Sequence, residues 1–412
     1  MSNSYLCALD LGSSKIASCV AKLNKAKLVN LYFESIPSKG IRRSGIVDIQ
    51  EASNSINKLL TILKKKSEFN FRSLYVGIKG VDVELKSSSA VIPLARGKIK
   101  LITDYDIRCV NEQARFLGSS LDYEILESVP LDYSVDDKKG ISNPVGLYGR
   151  KLGVDLLLVV VKTSFLENIA HLFRRLGYEV ECIFISSLVI GKMLIDRYSL
   201  KNNSFILCDI GADSTEVALF RNNFPQKLTF LDFGGKKFDE SLSISLSVPA
   251  ELAEEIKITY GSIITERNPS SDREVIIRKG SDYKRISKSK VDEVLTSLWE
   301  DFLHSFKEVI LKEEGIDRIF VCGKTAILEG LLEKMEQVLM IPVEIAYPFY
   351  PQGDFVLGNN LSSSQSLNYL PCLGIIYEVI NSLKEKPSKL FLPQGFFKKI
   401  ILWLKEIYEE YF

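Results

Sequence analysis

Histidine is nearly absent from this chain. Only His171 and His304 occur in 412 residues, both in helix-like stretches, which argues against imidazole catalysis and histidine-rich metal clusters. No cysteines are spaced CxxC. The seven present (Cys7, Cys19, Cys109, Cys182, Cys208, Cys322 and Cys372) are scattered and odd in number, mostly inside apolar runs such as SYLCALDLG and SFILCDIG. That excludes a disulfide framework or a zinc site and predicts buried, reduced thiols in a reducing compartment. Excess charge of either sign is also missing. With 53 basic and 52 acidic residues, the net charge of +1 leaves no global field for nucleic acid. No apolar run has the length of a membrane-spanning helix. The N-terminus, MSNSYLCALDLGSSK, has neither a charged leader nor a long apolar stretch, so no signal peptide is expected.

The length allows two large domains, and the 46% hydrophobic and 25% charged content is that of a folded chain. Strands are predicted at residues 5–9, 16–23 and 27–33, then a helix over 51–66 and a strand at 73–77: a β-β-β-α-β opening. Between about 83 and 162 the pattern changes to a small inserted α+β unit. It has a short strand at 92–94, a helix over 104–116 capped by Thr103, strands at 123–130 and 131–135, the loop GISNPVGLYG and a strand at 154–162. A helix at 165–176, a strand at 180–185 and a helix at 188–196 follow. From residue 204 the opening repeats in kind, with strands at 205–208, 216–220 and 226–233, which reads as duplication of one α/β unit. The rest carries helices at 241–260 and 291–312 around a polar insert with one strand at 274–279. It ends with strands at 319–322 and 342–346 and helices at 326–338 and 371–383.

Each repeat turns at an acidic-glycine motif. In the first, Asp10 ends a strand, Gly12 allows a tight bend whose N–H groups can face one anion, Ser13 and Ser14 add hydroxyls, and Lys15 supplies a cation. Asp209, Gly211, Ala212, Asp213, Ser214 and Thr215 form the second turn from similar parts. Either turn alone reads equally as a plain hairpin; two facing each other form a phosphate clamp. Asp10 and Asp209 at the strand ends can hold Mg²⁺ through water. Gly234 and Gly235 offer a third close backbone approach. Glu254 and Lys257 share a helix face, either for ribose hydroxyls or as a surface ion pair. Gly323, Lys324 and Thr325 form a strand-to-helix turn, either an ordinary one or a rest for base or phosphate.

The last stretch, 395–412, places Phe396, Phe397, Ile400, Leu404, Ile407, Tyr408 and Tyr411 on one side at helical spacing. Lys398, Lys399, Lys405, Glu406, Glu409 and Glu410 lie around the other, with Trp403 between. Behind the connector KEKPSKLFLP this suits a membrane surface, or docking on its own domain or a partner helix.

These motifs resemble the actin/Hsp70/sugar-kinase ATPase superfamily, and within it the bacterial cell-division FtsA family. DLGSSK is similar to the first phosphate motif, DIGADST to the second, VCGKTAILEGL to the adenosine motif and AEEIK to the nucleotide-contacting helix. The loop at 140–149 resembles that of the inserted subdomain 1C. The resemblance implies an α/β, actin-like, two-lobed ATPase fold of duplicated ribonuclease H-like units. Its expected divisions are subdomain 1A at 1–82 and 163–203, 1C at 83–162, 2A at 204–240 and 313–383, 2B at 241–312, a linker at 384–394 and a membrane-targeting amphipathic helix at 395–412. It further implies ATP and Mg as cofactors, slow or no hydrolysis, head-to-tail self-association, binding of the tubulin-like FtsZ and contacts to later division proteins through 1C. The expected location is the cytoplasmic face of the inner membrane at the division site. The chain departs from the family pattern where Ala212 and Asp213 replace glycines and where Lys324 and Thr325 follow a single Gly323. A pilus adaptor of the PilM type and a small-molecule kinase are the alternatives.

Overall fold

The computed structural model describes residues 3–384 apart from 26, 44, 81, 96–97, 264–273, 280–281, 349–360 and 362. The connector from 385 and the segment 395–412, including its expected membrane-facing residues, lie outside the described residues.

The chain begins with β1 (Asn3–Leu11), β2 (Lys15–Asn24), β3 (Lys27–Pro37), α1 (Ile49–Ser67) and β4 (Ser73–Ile78). An inserted unit follows: β5 (Val83–Pro93), α2 (Asp104–Leu117), β6 (Tyr123–Val135), β7 (Lys138–Ile141) and β8 (Lys151–Lys162). Then come α3 (Thr163–Arg175), β9 (Glu179–Ile185) and α4 (Ser186–Tyr198). The second half holds β10 (Ser204–Ile210), β11 (Thr215–Arg221), β12 (Phe224–Leu231), α5 (Gly235–Leu246), α6 (Ala250–Tyr260), β13 (Glu274–Lys279), β14 (Asp282–Ser287) and α7 (Lys288–Ile310). It closes with β15 (Arg318–Cys322), α8 (Leu331–Leu339), β16 (Val343–Ile345) and α9 (Leu370–Lys384).

Two five-stranded sheets have one plan. The first runs β9-β4-β1-β2-β3 and the second β16-β15-β10-β11-β12. In each, three antiparallel strands from consecutive hairpins join two parallel ones. The duplication expected from the repeated turns is therefore a repeat of topology. The inserted unit is a separate four-stranded sheet, β7-β6-β8-β5, with α2 packed on it through Val110 and Ala114. Helices α4 and α9 pack together beside the first sheet, so residues 371–383 sit with the first half and not with subdomain 2A as expected; Gly191 of α4 faces Phe220 of β11 so closely that a Cβ there would lie 2.1 Å from the ring. Trp299 of α7 is fully buried and stacks on Phe302 at 4.7 Å in the second core.

Several local expectations need correction. The helix expected at 241–260 is two helices, α5 and α6. Ser247 takes the left-handed conformation (φ 50°) and Pro249 precedes α6, so the backbone cannot run through. The helix expected from 326 begins at Leu331. Lys324–Ile327 is a tight 3-10 turn, and Gly330 at φ 76° marks the restart. The strand at 92–94 is the end of an eleven-residue strand, and those at 123–130 and 131–135 are one strand bent by bulges. The polar insert holds two paired strands rather than one.

Candidate functional site

Both acidic-glycine turns cap hairpins at the same sheet position. Asp10 pairs with Gly77 of β4, and Asp209 pairs with Cys322 of β15. Each carboxylate therefore stands at the end of a central strand, next to a parallel neighbour. In α/β sheets of this kind, ligands collect at such strand ends. The two turns meet across one cleft. It is lined by Asp10, Gly12, Ser13, Ser14 and Lys15 from the first half, and by Asp209, Gly211, Ala212, Asp213, Ser214, Gly235, Glu254, Lys257, Gly323, Lys324 and Thr325 from the second.

Two of the expected site residues are not in that lining. The Thr215 side chain is buried and donates to the Phe233 carbonyl at 2.7 Å. Gly234 is pressed on the second turn, where a Cβ would lie 2.3 Å from the Ala212 oxygen. The Gly235 and Lys236 N–H groups bond to Gly211 and Ala212 carbonyls at 2.8 and 3.0 Å. This third segment braces the second turn, and those two donors are already used.

The remaining residues form pairs that spacing did not reveal. Glu254 and Lys257 are not partners. Glu254 pairs with Lys324 at 3.0 Å, while Lys257 pairs with Asp239 at 2.6 Å and donates to the Gly235 carbonyl at 3.1 Å. Lys15 donates to Asn368 at 2.5 Å; burial pulls its pKa down to about 8, against the attraction of Asp10. Burial opposes ionisation of Asp213, yet the Lys236 pair at 2.6 Å, the Arg43 N–H at 3.3 Å and Ser13 outweigh it and lower the pKa. The extra carboxylate is thus neutralised, and it bridges the two halves across the cleft. Gly323 sits at φ 94° with the place of its absent Cβ 2.1 Å from the Ile210 oxygen, so the third turn closes directly on the second sheet.

At the cleft floor lies a residue that neither glycine turn contains. Lys79, just beyond β4, pairs with Asp209 at 2.6 Å; their side chains are 17% and 9% exposed. Its neighbour Gly80 donates its N–H to Glu216 at 3.1 Å, and Ser187 of α4 bonds the same carboxylate. Burial pulls the Lys79 pKa down, but Asp209 and Glu216 prevail and push it up to about 12. Burial raises Glu216 despite Lys79 and Ser187. The signal available in YVGIKG was a lone cation at the C-terminal end of an apolar strand. Arg43, Lys236 and Asp239 also line the cleft, and nothing in their local sequence marks them.

The donor set does not fit a divalent cation ligated directly, rather than through water, by Asp10 and Asp209. The Asp209 carboxylate is already paired with Lys79, and Asp10 Oδ1 accepts from Ser186 at 3.1 Å. Among the described residues, no group of three or more His, Cys, Asp or Glu is placed to hold a metal. A phosphate chain fits better. Cations from both halves surround two turns whose glycines keep Cβ atoms out of the way: Lys15, bonded to Asn368, and Lys79, Lys236 and Lys324, each seated on an acid.

Asp10 supplies a prediction about stability. Burial and then repulsion from Asp209 push its pKa from 3.8 up to about 6, against the pull of Lys79. The folded state therefore holds the proton more tightly than the unfolded chain. The Asp10 contribution to stability should fall as pH rises from about 4 to about 6 and then level off. Asp10→Asn escapes that loss, so it should melt above wild type at about pH 7 and alongside it near pH 4. Thermal unfolding followed by circular dichroism at both pH values checks this; coincident melts at the higher pH would refute it.

A sequence profile described as cell division protein FtsA matches residues 206–366, and one described as an SHS2 domain inserted in FTSA matches residues 80–160. The second falls on the inserted sheet. The chain belongs to the FtsA family of cell-division proteins. FtsA of Streptococcus pneumoniae D39 is 25% identical over 347 residues, 84% of this chain and 76% of the relative. That of Buchnera aphidicola subsp. Baizongia pistaciae is 24% identical over 417 residues, 97% and 95% of the two chains. FtsA of Escherichia coli K12 is 20% identical and covers 84% of each. Among solved structures, the PilM-PilN type IV pilus biogenesis complex matches with TM-score 0.60 and 16% identity, covering 92% of this chain and 99% of that one. MreB5 of Spiroplasma citri bound to ADP matches at 0.53 and 11%, covering 93% and 99%. The FtsA-family chain thus has the actin-like fold with its inserted subdomain. Among the described residues, no helix is long and apolar enough to cross a membrane.

Proposed function

We propose that this FtsA-family protein is an adaptor that binds ATP in the cleft, self-associates head to tail and holds FtsZ filaments at the inner face of the cytoplasmic membrane. The observation that supports this most is the pair of glycine turns from duplicated sheets facing each other across a cation-lined cleft, in a chain of this family. The inserted unit at 83–162 would meet later division proteins, and 395–412 would meet lipid. The MreB5 structures carry ADP and AMPPNP, which adds to the case for an adenine nucleotide. ATP turnover is expected to be slow or absent.

The kinase reading needs a carboxylate free to act as a base. Asp10, Asp209 and Glu216 are held by Ser186, Lys79 and Ser187 respectively. The pilus-adaptor reading has likeness of fold alone. Co-sedimentation decides between them: FtsZ filaments should pellet with anionic vesicles when the full chain and ATP are present and remain in solution without the chain. FtsZ left in the supernatant in both cases would refute the adaptor reading.

A further inference from the structure

The floor of the cleft holds a fixed cation where carboxylates from both halves converge. Lys79 enters from the end of β4 in the first sheet, and its ammonium lies 2.6 Å from Asp209 Oδ2 and 3.5 Å from the Asp209 carbonyl, at the end of β10 in the second. The same nitrogen packs under the second turn, 2.7 Å from where a Cβ on Gly211 would be. It also faces the charges of Asp10 and Glu216. Gly80 and Ser187 hold Glu216 in place, so the lysine is anchored between three acids and cannot swing out without stranding a buried carboxylate.

We propose that Lys79 is the cleft's resident counter-cation, so that this chain binds a nucleoside di- or triphosphate as the metal-free anion. This rests on the nucleotide reading above. A divalent ion brought in by a nucleotide would have to displace an ammonium already seated on Asp209 at 2.6 Å before reaching that carboxylate. The ammonium itself offers donors toward phosphate oxygens entering over Gly211. Lys15 at the rim adds a further cation, with Lys236 and Lys324 beside it, seated on Asp213 and Glu254.

Calorimetric titration of the full chain with ADP and with AMPPNP, in EDTA and in excess magnesium chloride, tests this. Wild-type affinity is expected to agree within about threefold between the two conditions. Lys79→Ser should lose ~100-fold in EDTA and recover most of it in magnesium, because the vacated carboxylates then accept the ion. That induced metal dependence is not what loss of a purely structural residue would produce. Where Lys79→Ser fails to fold, Lys79→Met with Asp209→Asn removes both charges together; its affinity should fall in EDTA and stay low in magnesium. Wild-type binding tightened tenfold or more by magnesium would overturn the proposal. So would a variant that binds as wild type does in both conditions. Absence of binding in either condition would instead sink the nucleotide reading, and this proposal with it.

Discussion

Removal of residues 396–412 is expected to abolish pelleting with anionic vesicles while leaving the folded body intact. Phe396, Phe397, Ile400, Leu404 and Ile407 recur at helical spacing, and each large side chain sunk into the headgroup boundary is worth about 1.5–3 kcal/mol before ordering costs. Each lysine near anionic lipid adds about 1 kcal/mol. The three glutamates after Leu404 subtract from that, so a single copy should bind weakly, and an array self-associated as proposed would bind through the sum of its tails. Trp403→Glu places a charge at the boundary and should release the chain nearly as completely as the deletion. Circular dichroism should show unchanged folding in both. Full retention on vesicles by either variant would remove the membrane assignment.

The second large effect concerns the first turn. Gly12→Asp is expected to reduce nucleotide affinity by roughly a thousandfold. A Cβ at this position would lie 2.6 Å from the Lys15 carbonyl oxygen, so even alanine forces the bend open. The added carboxylate then faces the phosphates, and a unit charge at about 4 Å contributes about 4 kcal/mol at an effective dielectric of ~20, against binding. Gly12→Ala isolates the steric part and should fall between wild type and Gly12→Asp. Titration with ADP measures all three, and equal affinities would take the turn out of the site.

The two turns were legible because an acid, a glycine and hydroxyls directly after an apolar strand form a local pattern, and because it occurs twice. The duplicated sheet order followed from the same repetition. Pairings between distant residues were not legible. Lys324 with Glu254 and Lys257 with Asp239 depend on how α5, α6 and the third turn meet, which no local spacing encodes. Glu216 shows a different failure. In TEVALF it reads as the outward position of an alternating strand, but β11 is covered on both faces, and Glu216 becomes a buried acceptor for Gly80 and Ser187. The break between α5 and α6 does have a local signal, Pro249, which cannot sit inside a continuous helix.

Helix α9 is embedded in the first half of the molecule. Cys372, Leu373, Ile375 and Ile376 are buried, and Cys372 Sγ reaches the Ala17 carbonyl of β2 at 3.4 Å. Lys384, where the described residues end, thus closes a helix seated on the first sheet. A leash fastened to lipid there would keep that half stationary beneath the bilayer, and any opening or shutting of the cleft would appear as a swing of the half that carries α5 to α8.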